Sequence, residues 1–220
     1  MEWIEFLIDF IIHIDEHLVA IVAEYGAWTY GILFVIVFAE TGFVVTPFLP
    51  GDSLLFAAGA IAATGVLNPW FLFLLLFVAA VMGDSINYAL GQYFGVRVFK
   101  ENSKIFKLDY LRKTEHFFEK YGGKTIVLAR FVPIVRTYAP FVAGASSMNY
   151  ARFIFYNVFG GAIWVGLFVL VGYLFGNIPI VKNNFSLTVL GIIALSLVPI
   201  FVEFFRGRRR KKLNYKKSKD

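Results

Sequence analysis

Residues 125–148, TIVLARFVPIVRTYAPFVAGASSM, are mostly apolar, yet they carry Arg130 and Arg136, contain Pro133 and Pro140, and end in the small run Ala143-Gly144-Ala145. A helix that spans a bilayer needs about 20 apolar residues, and this stretch is interrupted before it reaches that length. Each proline removes a backbone donor and steers the preceding residue away from helical geometry. Broken backbone at membrane depth survives only where it is buried in protein or lines a wet cavity. An arginine there costs roughly 2.5–3.5 kcal/mol on insertion scales, so it comes with a partner or a task. The stretch is expected to form a re-entrant hairpin carrying a site for something anionic.

The bulk composition agrees with a membrane setting. The 220 residues are 59% hydrophobic, with 26 Phe, and the mean hydropathy is +0.70. That excludes a soluble globular core and predicts one all-α polytopic membrane domain over 1–205, with a basic tail at 206–220. Cysteine is absent, which excludes a disulfide framework and thiol chemistry. The N-terminus lacks the basic flank of a signal peptide, so no cleaved leader is expected.

Residues 2–24 mix Trp, Phe, Ile and Leu with six acids, the pattern of an amphipathic helix lying in the interface or packed on the bundle. Within them His13-Ile14-Asp15-Glu16-His17 matches the H-x-x-E-H zinc pattern. Two solvated histidines on an interfacial helix explain it as well, and no metal is expected. Residues 28–62 repeat the logic of 125–148 with opposite charge. An apolar run reaches Glu40, meets Pro47 and then Pro50-Gly51-Asp52, and returns as a second apolar arm. Asp52 suits a helix N-cap; Glu40 has no such explanation.

The two broken stretches resemble each other. Phe56-Ala57-Ala58-Gly59-Ala60 matches Phe141-Val142-Ala143-Gly144-Ala145, 85 residues on, and Gly91-Gln92-Tyr93-Phe94-Gly95 matches Gly172-Tyr173-Leu174-Phe175-Gly176, 81 residues on. Internal repeats whose discontinuous helices meet near the midplane are the architecture of secondary transporters. Spans are expected at 69–95, 152–176 and 185–205. In the first, Gly83, Asn87, Gly91 and Gly95 recur every fourth residue and offer a smooth packing face. Asp84 and Tyr88 lie on the same polar half; Asp84 is either a third intramembrane carboxylate or a residue near the cytoplasmic interface, with a structural role slightly favoured.

The charges test the hairpin. All 21 Lys and Arg lie from Arg97 onward, concentrated in a soluble-looking linker at 97–124 and in the tail. Such regions are retained in the cytoplasm. Two spans between them put both on one side only if 125–148 does not cross. The single span 69–95 then opens hairpin 28–62 to the opposite side, giving an inverted repeat. Glu40 and Asp52 would descend from one face and Arg130 and Arg136 from the other, two charges balancing two. Guanidinium forks suit phosphate or carboxylate, and carboxylates in apolar surroundings take up protons more readily than in water.

Glu40, Pro47 and Pro50-Gly51-Asp52 in the first hairpin, Gly83-Asp84, Tyr88, Gly91 and Gly95 in the span, and Arg130, Pro133, Arg136, Pro140 and Ala143-Gly144 in the second hairpin together resemble the DedA family, also described as SNARE-associated or VTT-domain membrane proteins. Phe153, Asn157, Gly160 and Trp164 extend the resemblance, which covers about 28–176. Ala129 departs from the glycine that many members carry before the first arginine. The resemblance implies an inverted-repeat re-entrant fold in the bacterial inner membrane, dependence on the proton-motive force, and translocation of lipids such as undecaprenyl phosphate for envelope synthesis; the basic tail adds the expectation of a cytoplasmic C-terminus. It places the functionally required residues at Glu40, Asp52, Arg130 and Arg136.

The expected activity is therefore proton-coupled translocation of a phosphate-bearing lipid. Glu40 and Asp52 would couple protons, and Arg130 and Arg136 would bind the head group. Pro47, Pro50, Gly51, Gly59, Pro133, Pro140 and Gly144 would shape the broken backbone. Asp84, Tyr88, Tyr138, Asn157 and Trp164 are secondary candidates. A proton-coupled carrier of small solutes or ions would use the same charges. A lipid phosphatase fits less well, because such chemistry usually wants a histidine nucleophile or a metal, and His13, His17 and His116 all lie outside the broken stretches. Neither an enzyme nor a cofactor is expected. Expected partners are a membrane lipid, protons, anionic head groups at the basic tail and a second copy in a homo-oligomer, but not nucleic acid.

Overall fold

A computed structural model describes residues 25–43, 51–99, 108–179 and 181, and all regular structure among them is helical. In chain order the helices are α1 (Ala27–Gly42), α2 (Gly51–Ala62), α3 (Pro69–Phe94), α4 (Leu108–Tyr121), α5 (Thr125–Ala129), α6 (Pro133–Ala145) and α7 (Tyr150–Gly176). Single 3-10 turns lie at Val96–Val98 and Gly122–Lys124. Only α3 and α7 are long and apolar enough to cross a membrane among the described residues.

Helix α3 is well terminated. Asn68 Oδ1 accepts from the backbone N–H groups of Trp70 (3.0 Å) and Phe71 (3.1 Å), with Pro69 at the first helical position. Gly95, at φ 66°, closes the other end. Near those ends Trp70 and Tyr93 are the most exposed aromatics, at 81% and 84%. At 1.5 Å per residue they stand about 34 Å apart, which suits rings at the two interfaces of a hydrocarbon core about 30 Å thick. Leu74, Val78, Met82 and Ile86 form an exposed apolar stripe between them, while Leu72, Leu76, Ala79, Ala80 and Asp84 face inward. Helix α7 runs antiparallel to α3: Gly166 faces Phe73, Gly161 faces Phe77 and Val81, and Asn157 Nδ2 donates to the Val81 carbonyl (3.0 Å).

The short helices lie along these two. Helix α1 follows α3, from Tyr30, whose hydroxyl accepts the Asn68 N–H (2.7 Å), to Gly42, which sits on Gly83 at mid-length. Helix α2 starts at that depth and follows α7, from Asp52 beside Trp164 to Ala60 against Gly176. Helix α5 packs on α7, with Val127 at Gly160, and α6 packs on α3, with Phe141 at Gly91. The first arm of each pair thus packs on the long helix of its own unit, and the second arm on the long helix of the other.

The sequence repeat returns as a contact repeat. A Cβ on Gly59 would meet the Val169 carbonyl, and one on Gly144 would meet the Tyr88 carbonyl. Likewise Gly172 lies on the Phe56 carbonyl and Gly91 on the Phe141 carbonyl. Each contact maps onto its partner when the short-helix number rises by 85 and the long-helix number falls by 81. Glycine is needed because backbone meets backbone there, the packing that small residues allow between membrane helices.

Three expectations are corrected. Pro140 does not interrupt its helix; it lies inside α6. Its missing N–H withholds the intrahelical donor from the Arg136 carbonyl, while the adjacent Thr137 carbonyl accepts from Asn87 Nδ2 on α3 (3.0 Å). The break falls instead at 130–132, and Pro133 opens α6 at a first-turn position. Gly95 packs against nothing within 4 Å and serves as a cap, not as part of a smooth face. The stretch 97–124 is not merely a linker: it contains α4, which buries Leu111 and Thr114 and packs on α6. The expected helix at 2–24 with its H-x-x-E-H match, Pro47 and Pro50, the span 185–205 and the basic tail lie outside the described residues.

Candidate functional site

Four of the short segments bring charge to the middle of the long helices. Arg136 stands in the first turn of α6, at the start of the arm that packs on α3. Its Nη1 donates to Asp52 Oδ1 at 2.8 Å and its Nη2 to Glu40 Oε1 at 3.0 Å. One planar fork therefore ties together both arms of the other unit, the geometry that guanidinium provides and an ammonium does not. Glu40, in the last turn of α1, is 7% exposed; its carboxylate lies so close to Gly51 that a Cβ there would overlap it. Gly51 opens α2, so the carboxylate sits at a helix N-terminus, where negative charge is favoured. Asp52 is the open member, with 44% of its side chain exposed against 14% for Arg136.

Arg130, in the break after α5, makes a separate and deeper pair. Its Nη2 donates to Asp84 Oδ2 of α3 and to Asn157 Oδ1 of α7, the latter at 2.6 Å. Asn157 is fixed in turn by donating to the Val81 carbonyl. Arg130 and Asp84 are both about 5% exposed, so removing either would strand a buried charge. The Arg130 Nε is buried without an acceptor among the described residues.

Trp164 joins the two pairs. It is fully buried, its Nε1 donates to Asp52 Oδ1 at 2.9 Å, and its ring centroid lies 4.7 Å from Arg136 Cζ and 5.6 Å from Arg130 Cζ. A desolvated cation over a tryptophan face is worth about 2 kcal/mol. An indole on α7 thereby holds two cations from one unit against a carboxylate from the other.

The structure brings Glu40, Asp52, Arg130 and Arg136 into one cluster, with Asn157 and Trp164. It changes the pairing. Arg130 takes Asp84, not Glu40 or Asp52, so three carboxylates face two guanidiniums in place of the expected two against two. The signal for Asp84 was its place near the centre of a 26-residue apolar helix. Tyr88 and Tyr138 fall outside the cluster. The Tyr88 hydroxyl donates to the Met148 carbonyl and its ring stacks on Phe153 at 4.4 Å, which anchors the turn between α6 and α7. Tyr138 is packed with Phe99, Tyr110 and Phe141. His116 is exposed on α4, beside Glu119 at 3.7 Å. An apolar groove of about 340 Å³ opens between α3 and α7, lined by Trp70, Phe73, Gly166, Val169, Leu170 and Tyr173, with Pro69 at its edge.

Residues 49–174 match the family model described as the VTT domain, more than half of the chain. The chain belongs to the VTT-domain, or DedA, family of membrane proteins. It is 57% identical over 212 residues to Protein DedA of Escherichia coli (strain K12), covering 95% of this chain and 97% of that one. An uncharacterized membrane protein of Mycobacterium leprae (strain TN) is 43% identical over 176 residues, 80% of this chain and 79% of its own. Inner membrane protein YqjA of Escherichia coli (strain K12) is 38% identical over 152 residues, 69% of each. No solved structure matches.

Proposed function

We propose that this DedA-family protein is a transporter of the bacterial inner membrane that moves a phosphate-bearing lipid, undecaprenyl phosphate being the favoured substrate, at the expense of the proton-motive force. The observation that carries this reading is the Arg136 fork, held at mid-depth by Glu40 and Asp52 from the opposite unit. An arginine so placed exchanges one pair of oxygens for another of the same geometry, and a phosphate monoester offers that geometry. Protonating Glu40 or Asp52 weakens their hold and frees the fork; deprotonation expels the head group.

The paired helices α1/α2 and α5/α6 act in this reading as re-entrant hairpins that come from opposite faces and leave a thin barrier between them. Asp52, half open, is where protons and head group gain access. With basic segments held in the cytoplasm, α1/α2 opens outward and the C-terminus lies inside. The apolar groove beside α3 and α7 supports a lipid over a water-soluble solute, since it offers a chain an apolar wall continuous with the bilayer. Among the described residues no histidine reaches the charged cluster, and proton-coupled movement is preferred to hydrolysis.

The test is a substrate comparison in liposomes. The protein is reconstituted with undecaprenyl phosphate, and exposure of the phosphate in each leaflet is followed under an imposed pH gradient. Parallel vesicles are loaded with short-chain alkyl phosphates or inorganic phosphate. Movement of the long-chain lipid alone supports the reading; movement of the soluble phosphates alone replaces it with a solute carrier.

A further inference from the structure

We infer that Asp84 is a proton acceptor of the transport cycle, exchanging its hold on Arg130 for a proton that Glu40 passes through a single-water cavity between the two ion pairs. This rests on the proposed binding of an anionic head group.

Three observations carry it. The first is charge. Glu40, Asp52 and Asp84 face Arg130 and Arg136, so with all three carboxylates ionised the cluster would hold one negative charge in excess. An anion joining it would raise that excess in surroundings of low dielectric, where unbalanced charge is costly. Binding must therefore bring protons, and the carboxylates are where they go.

The second is connection. A cavity with a water-accessible volume of about 10 Å³ is lined by Glu40, Thr41, Asp84, Ile126, Arg130, Arg136 and Pro140. That volume is room for one water. Four of its walls are charged side chains, enough to give a water the two to four polar partners it requires. Glu40 and Asp84 lie on the same cavity, on α1 and α3, and each is nine-tenths buried.

The third is the pairing itself. Among the described residues, the charged groups set against Asp84 are Arg130 from the break after α5, Arg136 from α6 and Glu40 from α1, with Asn157 of α7 as the polar neighbour that shares Arg130. In the resting arrangement Arg130 Nη2 donates to Asp84 Oδ2. When a phosphate oxygen takes over Arg130, Asp84 becomes a buried anion without its counter-ion and takes a proton. The transfer balances. Protonated Glu40 gives its proton to the water, and the water gives one of its own to Asp84. Glu40 is then a carboxylate free to reclaim Arg136, Asp84 is a neutral acid, and the water is unchanged.

The test is infrared difference spectroscopy on the full chain in detergent, with dodecyl phosphate as the probe and 13C-labelled aspartate to separate aspartic from glutamic acid bands. Adding the phosphate at fixed pH is expected to raise one protonated-aspartate band per chain. Asp84→Asn should abolish it, and Glu40→Gln should reduce it severalfold. Asp84→Glu keeps a carboxylate for Arg130, and so guards against a folding defect; it should move the band out of the labelled set. Phosphate bands that shift while the aspartate band is absent, or survives Asp84→Asn, would overturn the inference and leave the transporter reading standing. Phosphate bands that do not shift would sink both, and are told apart by that sign.

Discussion

At the scale of single residues, the two arginines have different work. Arg136 is partly exposed and shares its fork between Glu40 and Asp52, whereas Arg130 is buried on Asp84 and Asn157. Replacing Asp84 with Ala should therefore cost more stability than replacing Asp52. A stranded buried charge costs about 3–5 kcal/mol, while a half-exposed pair is worth about 1 kcal/mol or less. Thermal unfolding in detergent should show a larger drop for Asp84→Ala than for Asp52→Ala; equal drops would contradict the assignment. Trp164→Phe keeps a ring beneath both cations but deletes the donor to Asp52. One hydrogen bond to a charged group is worth about 1.5–3 kcal/mol. Transport should fall roughly tenfold or more at the corresponding 1.4 kcal/mol per decade, with the fold retained. Arg136→Lys should abolish transport, because an ammonium cannot reproduce the fork across both carboxylates. A fully active lysine variant would reduce Arg136 to a mere point charge.

At the scale of elements, much was legible because burial cost is written in the sequence. Charge and proline in an apolar run announced both broken segments, and the spacings of 85 and 81 announced the repeat. What the repeat meant was hidden, since pairing a short helix with the other unit's long helix is a tertiary choice that no local spacing encodes. Pro140 was misread for the same reason: its local cost is visible, but the packing of α6 on α3 that carries the helix through it is tertiary. The pairing of Asp84 was not legible because glycines and asparagine around it suggested packing, while its partner Arg130 lies 46 residues on, in the break after α5. The contact repeat makes its own prediction. Gly59→Leu and Gly144→Leu should destabilise alike, each by about 1–3 kcal/mol for overpacking and more where backbone must move. Gly31→Leu, with open space around it, should be close to neutral. Melting curves that separate the Gly59 and Gly144 variants widely would argue against equivalent roles.

At the scale of the whole molecule, two long helices fix the depth scale, and the short helices carry the charges to their middle. The chain lacks cysteine, so single cysteines can report sidedness directly. Cysteines at Trp70 and Tyr93, the two exposed ends of α3, should label from opposite faces of the membrane. One at Lys113 on α4 should label from the same face as Tyr93. Labelling of Trp70 and Lys113 from one face would invalidate the inverted arrangement of hairpins.

The central claim is that protons loosen Glu40 and Asp52 from Arg136 so that the arginine takes up a lipid phosphate. The most direct measurement is the rate of undecaprenyl phosphate movement between leaflets of proteoliposomes, with and without an imposed pH gradient, for wild type, Glu40→Gln and Arg136→Ala. The account predicts gradient-stimulated movement by wild type, none by Arg136→Ala, and movement indifferent to the gradient or lost in Glu40→Gln. Wild-type movement that ignores the gradient, or that survives removal of Arg136, would contradict it.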